Sequence, residues 1–227
     1  MHLYYMKTLT FLILLTFSSI VSFSQVNSFN IDSTKLNKPL SDTLEAIYKL
    51  DQSTRAAYIQ AKQQNKAATI VDSLMKVMRN TDQENLAKVN AIVKQHSWLS
   101  PQKVGINGAQ GLFLVIQHAD LKTQEYYLPM IKEAEKKGEM LSSNLAILED
   151  RICMRNGKKQ IYGSQGFTDN ETGKKYIYPI SDIDNLEERR KAMGLQPMQD
   201  YVEGWNVEEY KRELPIIEQI AKKQNIK

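Results

Sequence analysis

The chain has 227 residues, with 30 basic and 26 acidic side chains, a net charge of +4 and one cysteine, Cys153. Acids and bases are interspersed and no basic stripe stands out, which argues against a nucleic-acid partner. A single cysteine excludes an intramolecular disulfide, and its place between Ile152 and Met154 suits a buried, inert thiol better than a nucleophile.

The first segment speaks for export. From Met6 it runs through Lys7, an apolar stretch over residues 9–23, and Ser22-Phe23-Ser24 before Gln25. A short positive region, an apolar core and a small-x-small site are the order a signal peptidase reads. The apolar run is short for a membrane span of ~20 residues, so cleavage and a soluble mature chain are expected, with no stable membrane insertion. Removing 24 of 227 residues leaves 203, in the range of a single domain with its own core. Residues 25–39 are polar and read as a flexible lead-in to one domain over 40–227. Nothing in the sequence speaks to oligomeric state.

The body of the chain reads as mostly α, a multi-helix bundle with one small β-hairpin packed on it. Asp42-Thr43-Leu44-Glu45 resembles a capping box opening the first helix, whose stripe is Leu44, Ile47, Tyr48, Asp51, Arg55 and Tyr58. Asp51 and Arg55 fall on the apolar face, where i,i+4 spacing lets them pair. Thr81-Asp82-Gln83-Glu84 is a second such box. Residues 97–107, with Pro101 and Gly105, read as a loop, and residues 108–120 as a buried apolar helix. Tyr127, Met130, Ile131 and Ala134 mark another helix, stopped at Gly138. Ser142 or Ser143 is placed to cap the next, which ends at Asn156-Gly157. Two β-prone runs, around Gln160 to Gln165 and Tyr176 to Ile180, suggest a hairpin near 159–180. Asp184 is placed to cap a short helix, and a last helix starts near Asn206, with Pro215 as a kink.

Three clusters could carry chemistry. Gln117-His118-Ala119-Asp120 ends the most apolar helix, and His118 is the side chain best suited to proton transfer near neutrality. On its position alone a core histidine bonded to backbone is the favoured explanation, and a cleft position would make His118 the first candidate. Asp150-Arg151 lies inside the apolar Leu145, Leu148, Ile152 stripe. Asp150 could orient a base and Arg151 could clamp an anion, or the two could be a structural ion pair. Gln160-x-Tyr162-Gly163-x-Gln165 could, as a strand, turn Gln160 and Tyr162 together towards the helices. Asp182 and Arg189-Arg190 are adequately explained as a solvated helix face. No HExxH, Cys/His spacing, GxSxG, P-loop or GxGxxG is present, so neither a metal nor a cofactor is expected.

Taken in order, these motifs resemble a bacterial domain-of-unknown-function family. The resemblance rests on Asp51-Gln52-x-x-Arg55, Val104-Gly105, Gln117-His118-Ala119-Asp120, Leu148-x-Asp150-Arg151, Gly157, Gln160-x-Tyr162-Gly163-x-Gln165, Pro179-Ile180-x-Asp182 and Arg189-Arg190-x-x-x-Gly194-Leu195. It covers most of residues 40–201, with Ser164 where threonine is expected and Glu149 where a small polar residue is expected. It implies no reaction, substrate or cofactor, and strengthens only the choice of residues.

Three readings follow. In the first, a metal-independent enzyme acts on a small polar or anionic substrate, with His118 as acid/base and Arg151 holding an anionic group. Gln117, Asp120, Asp150, Gln160, Tyr162 and Gln165 would then line the substrate. In the second, the same pocket binds a ligand or protein without chemistry. In the third, these polar groups only fasten hairpin to helices. If they form one site, His118, Arg151 and Tyr162 lie close together.

Overall fold

The computed structural model describes residues 29–226, so the export segment and its cleavage site lie outside the described residues. Helix dominates, with eight α-helices and one two-stranded sheet among those residues. The first five helices are α1 (Lys38–Gln63), α2 (Ala68–His96), α3 (Pro101–His118), α4 (Leu121–Lys136) and α5 (Ser142–Arg155). The strands β1 (Gly166–Thr168) and β2 (Lys175–Ile177) follow, then α6 (Leu186–Ala192), α7 (Met198–Tyr201) and α8 (Val207–Lys223).

Several boundaries differ from the sequence expectation, each for a local reason. The Asp42 box lies inside α1, because Asn37 caps the helix by accepting the Leu40 N–H and Pro39 sits in the first turn. A short 3-10 turn, Ser33–Lys35, precedes it within the expected lead-in. The Thr81 box lies mid-helix in α2: no Gly or Pro interrupts residues 64–100, so a capping pattern there has no break to cap. Pro101 opens α3 instead of belonging to a loop, and the one irregularity is Gly105, at φ 73°. Neither Ser142 nor Ser143 caps α5; Ser142 is already helical and donates its hydroxyl to Glu135 at 2.6 Å. Asp184 lies within a 3-10 turn, Ile183–Asn185, and caps nothing.

Helices α1 and α3 run parallel in matched register. The Asn37 N–H donates to the Lys103 carbonyl at 2.8 Å and the Ser41 hydroxyl to the Val104 carbonyl at 2.9 Å, both at the Gly105 break. Further along, Gly108 and Gly111 face Leu44 and Tyr48 with no side chain between the two backbones. A Cβ at 111 would stand 2.5 Å from the Leu44 carbonyl oxygen. Gly111→Ala should therefore push the helices apart and cost roughly 1–3 kcal/mol, read as a lowered melting temperature. An unchanged melting temperature would show that the two helices can slide freely. Two helical turns beyond Gly111, the same register brings α3's last residue, His118, against Asp51 of α1.

Two buried apolar clusters result. Leu44, Val89, Leu112, Ile116, Ile131 and Leu148 centre the first, built from α1 to α5. Phe167, Ile180, Leu186, Met198, Tyr210 and Ile217 centre the second, built from the hairpin and α6 to α8. Met154 of α5 packs against the second cluster, and the segment 160–165 adds a polar link between the two. This segment is not the strand expected from its composition: only Gln160 makes a β-bridge, to Ile180, and Gly163 turns at φ 73°. Its backbone wraps the buried Asp150 carboxylate, which accepts the N–H groups of Ile161 at 2.6 Å, Tyr162 at 2.9 Å and Ser164 at 2.8 Å. Carbonyls on the far side accept from α6, Ile161 from Arg189 at 3.0 Å and Tyr162 from Arg190 at 2.6 Å. Arg190 is thus a buried clamp stacked on the Tyr201 ring, 1% exposed, and not part of a solvated face.

Candidate functional site

The end of α3 sets the geometry. His118 Nδ1 lies 3.0 Å from Asp51 Oδ1, and Asp51 is 1% exposed where the histidine side chain keeps 15%. Nε2 has no hydrogen-bond partner among the described residues. A carboxylate at Nδ1 fixes the tautomer that carries its proton there and leaves Nε2 as a lone-pair acceptor. Asp51 also accepts from Gln52 at 2.7 Å and lies 3.4 Å from Arg55 Nη2, the i,i+4 partner its place on the apolar stripe requires.

Arg55 carries the network to α2. Its Nη2 pairs with Asp82 as well, and Nη1 approaches Met78 Sδ at 3.4 Å. Burial would raise Asp51, but its hydrogen bond to His118, with Arg55 and Gln52 beside it, holds the carboxyl below its usual range. At Asp82 burial prevails over Arg55, and its pKa is raised. His118 is pushed below its ordinary value, first by burial and then by the charges of Arg55 and Arg151, against the pull of Asp51. At neutral pH its resting form is neutral imidazole.

The fourth side comes from α5. Arg151 is half-buried, and burial with its neighbours Arg155 and Arg55 presses its pKa down to about 10, so it remains charged at neutrality. Its Nε is shut away from solvent without a partner, and it forms no ion pair among the described residues. Arg155, one turn on, donates to the Ala119 carbonyl at 2.6 Å and lies within the field of Asp120.

Other expected site residues go elsewhere. Tyr162 does not join His118 and Arg151: its hydroxyl lies 3.3 Å from Glu149 Oε2, and two residues along a helix is about 200° of rotation from Arg151. Asp150, next to Arg151 in sequence, turns to the loop for the same reason. Gln160 spends its amide inside, Nε2 on the carbonyls of Gln165 and Tyr178 and Oε1 on the Gln165 N–H. Gln165 Nε2 turns to the Ser164 hydroxyl at 2.9 Å. Asp120 caps α4, accepting the Thr123 N–H at 2.8 Å. Asp150, Gln160 and Asp120 thus hold backbone, and Gln165 holds a neighbouring hydroxyl. Gln117 is buried beside His118, its amide without a partner and its carbonyl accepting from Gln124 at 2.7 Å. Cys153 is half-buried with its thiol pushed up by burial, as suits an inert side chain.

With this geometry in view, a family model described as a family of unknown function matches residues 38–210. The chain belongs to the DUF6624 family. The matched span takes in α1 to α7 and every residue of the His118 network. No match was found among curated proteins or among solved structures.

Within this DUF6624 chain, sequence reasoning left four residues out of the site. Arg55 and its partner Asp51 were visible as a charged pair on an apolar stripe, which was the available signal. Asp82 was hidden behind its resemblance to a cap, and Arg155 gave no signal beyond its i+4 spacing from Arg151. Among the described residues no group of three or more His, Cys, Asp or Glu could hold a metal ion, and no helix is long and apolar enough to cross a membrane.

Proposed function

We propose that this protein is an exported, metal-independent enzyme that performs general acid/base chemistry on a small polar or anionic substrate at His118. The observation that carries this reading is the buried Asp51 carboxylate on Nδ1, which leaves Nε2 free at the solvent edge. That is the arrangement a general base needs: correct tautomer, fixed ring, and an open nitrogen whose pKa lies below neutrality. Arg151 supplies positive charge beside it. The test is a substrate screen on the mature chain with His118→Ala as control. Turnover that disappears in the variant supports the reading, and turnover indifferent to His118 refutes it.

A second reading is a non-catalytic ligand- or protein-binding module. It is favoured by the two cavities described in the structure, since neither opens on His118. One is a small apolar cavity of about 20 Å³ beside Trp98, Phe113 and Met140, and the other a groove of about 290 Å³ between Lys159, Tyr178 and Glu218. Binding that survives His118→Ala, with no turnover on any substrate, would select this second reading.

Export is part of the proposal. Mass spectrometry of the protein from its native host should find Gln25, or a neighbour, at the N-terminus. An intact chain recovered from the cytoplasm would overturn this.

A further inference from the structure

The charges around His118 do not balance evenly. Arg55 is flanked by Asp51 and Asp82, and Arg155 has Asp120 and the Ala119 carbonyl. Arg151 pairs with no carboxylate among the described residues, although its Nε is closed to solvent and the guanidiniums of Arg55 and Arg155 press on it. Arg155, one turn on along the same face of α5, reaches the Ala119 carbonyl beside His118, which sets Arg151 against the same end of α3, and part of the Arg151 side chain reaches water. A guanidinium offers five N–H groups in a rigid fork, and leaving them unused at depth is unfavourable unless something enters to accept them.

We infer that Arg151 is the anchor for a substrate carboxylate, a singly charged oxyanion gripped by the guanidinium fork beside His118 Nε2. The single charge follows from the surroundings: among the described arginines around His118, Arg151 alone lacks a counter-ion, and the Asp51 and Asp82 carboxylates of the same network repel a second negative charge. A phosphate dianion fits this balance poorly. The inference rests on the reading of His118 as a functional site and names the substrate class for it.

The experiment uses the mature full chain in thermal-shift titrations with acetate, lactate and benzoate, at constant ionic strength made up with chloride. Inorganic phosphate at pH 8 is the competing probe. Saturable rises in melting temperature with the carboxylates, larger than with phosphate, are expected, and Arg151→Met should abolish them. In buffer with chloride as the only added anion, Arg151→Met should melt at or above the wild-type temperature, because the variant removes a largely buried cation that has no partner. A fall in that temperature would mean Arg151 has a structural partner, and would overturn the inference. So would a larger response to phosphate, no response to any probe, or a carboxylate response that survives in Arg151→Met. The two readings fail separately. Carboxylate binding without turnover ends the enzyme and keeps the anchor, whereas His118-dependent turnover indifferent to Arg151→Met keeps the enzyme and ends the anchor.

Discussion

Asp150→Ala should remove most of the protein's stability. The carboxylate is fully buried and accepts three backbone N–H groups from one short loop. Alanine leaves all three donors without an acceptor, at about 1–3 kcal/mol each. Against a typical total of about 5–15 kcal/mol, that loss is a large fraction. The damage should also spread, since the same loop presents its carbonyls to Arg189 and Arg190 and so ties α5 to α6. Asp150→Asn should fall between. One oxygen can still serve Ile161 and Tyr162 or Ser164, while the amide nitrogen faces an N–H it repels. Urea denaturation followed by far-UV circular dichroism measures both variants. A midpoint unchanged in Asp150→Ala would mean that Gln160 and the two arginines suffice to hold the loop.

His118→Ala should lower turnover by about 10²–10⁴-fold, the range over which a positioned acid or base accelerates proton transfer. Asp51→Asn should also be severe: the ring would lose the partner that selects its tautomer, and Arg55 would lose one of its two carboxylates. The wild-type pH profile gives the sign. Burial and two guanidiniums hold the His118 pKa below its ordinary 6.5, so the neutral base is already dominant at pH 7. Activity should therefore be flat through neutrality and fall only at acid pH, as Nε2 takes up a proton. Stability follows the same direction. The unfolded chain binds this proton more readily than the folded one, so the His118 contribution is fully present above pH 6.5 and is lost as pH falls through the folded value. His118→Ala should flatten that acid slope in melting temperature. A rate that instead rises as pH falls below 6 would assign His118 the role of a required cation and sink the proposed base.

The helical character and most of the site's raw material were legible in the chain. Apolar residues at 3.6 spacing declare helices whatever their neighbours, and an acid or histidine on such a stripe needs a partner. Asp51, His118 and Arg151 stood out on that ground. Helix ends were less legible: Thr81-Asp82-Gln83-Glu84 looks like a cap by itself, and only the unbroken helix around it shows Asp82 as a partner for Arg55. The Gln160 to Gln165 run looks like a strand by composition. It is a loop because a buried carboxylate from α5 takes its N–H groups before another strand can.

What the sequence by itself determined is therefore local: the positions of the amphipathic stripes, the polar residues that interrupt them, and the glycines at 108 and 111 that permit close helix contact. The tertiary structure alone decided which of those polar residues meet. Neighbours such as Asp150 and Arg151 diverge by a helix's 100° step, one into a loop and one towards His118. Residues 67 apart, Asp51 and His118, come within 3.0 Å because two parallel helices pack in register across glycine. Periodicity is a property of one segment, whereas a site is a property of the angles and register between segments, and those are set only when the helices pack.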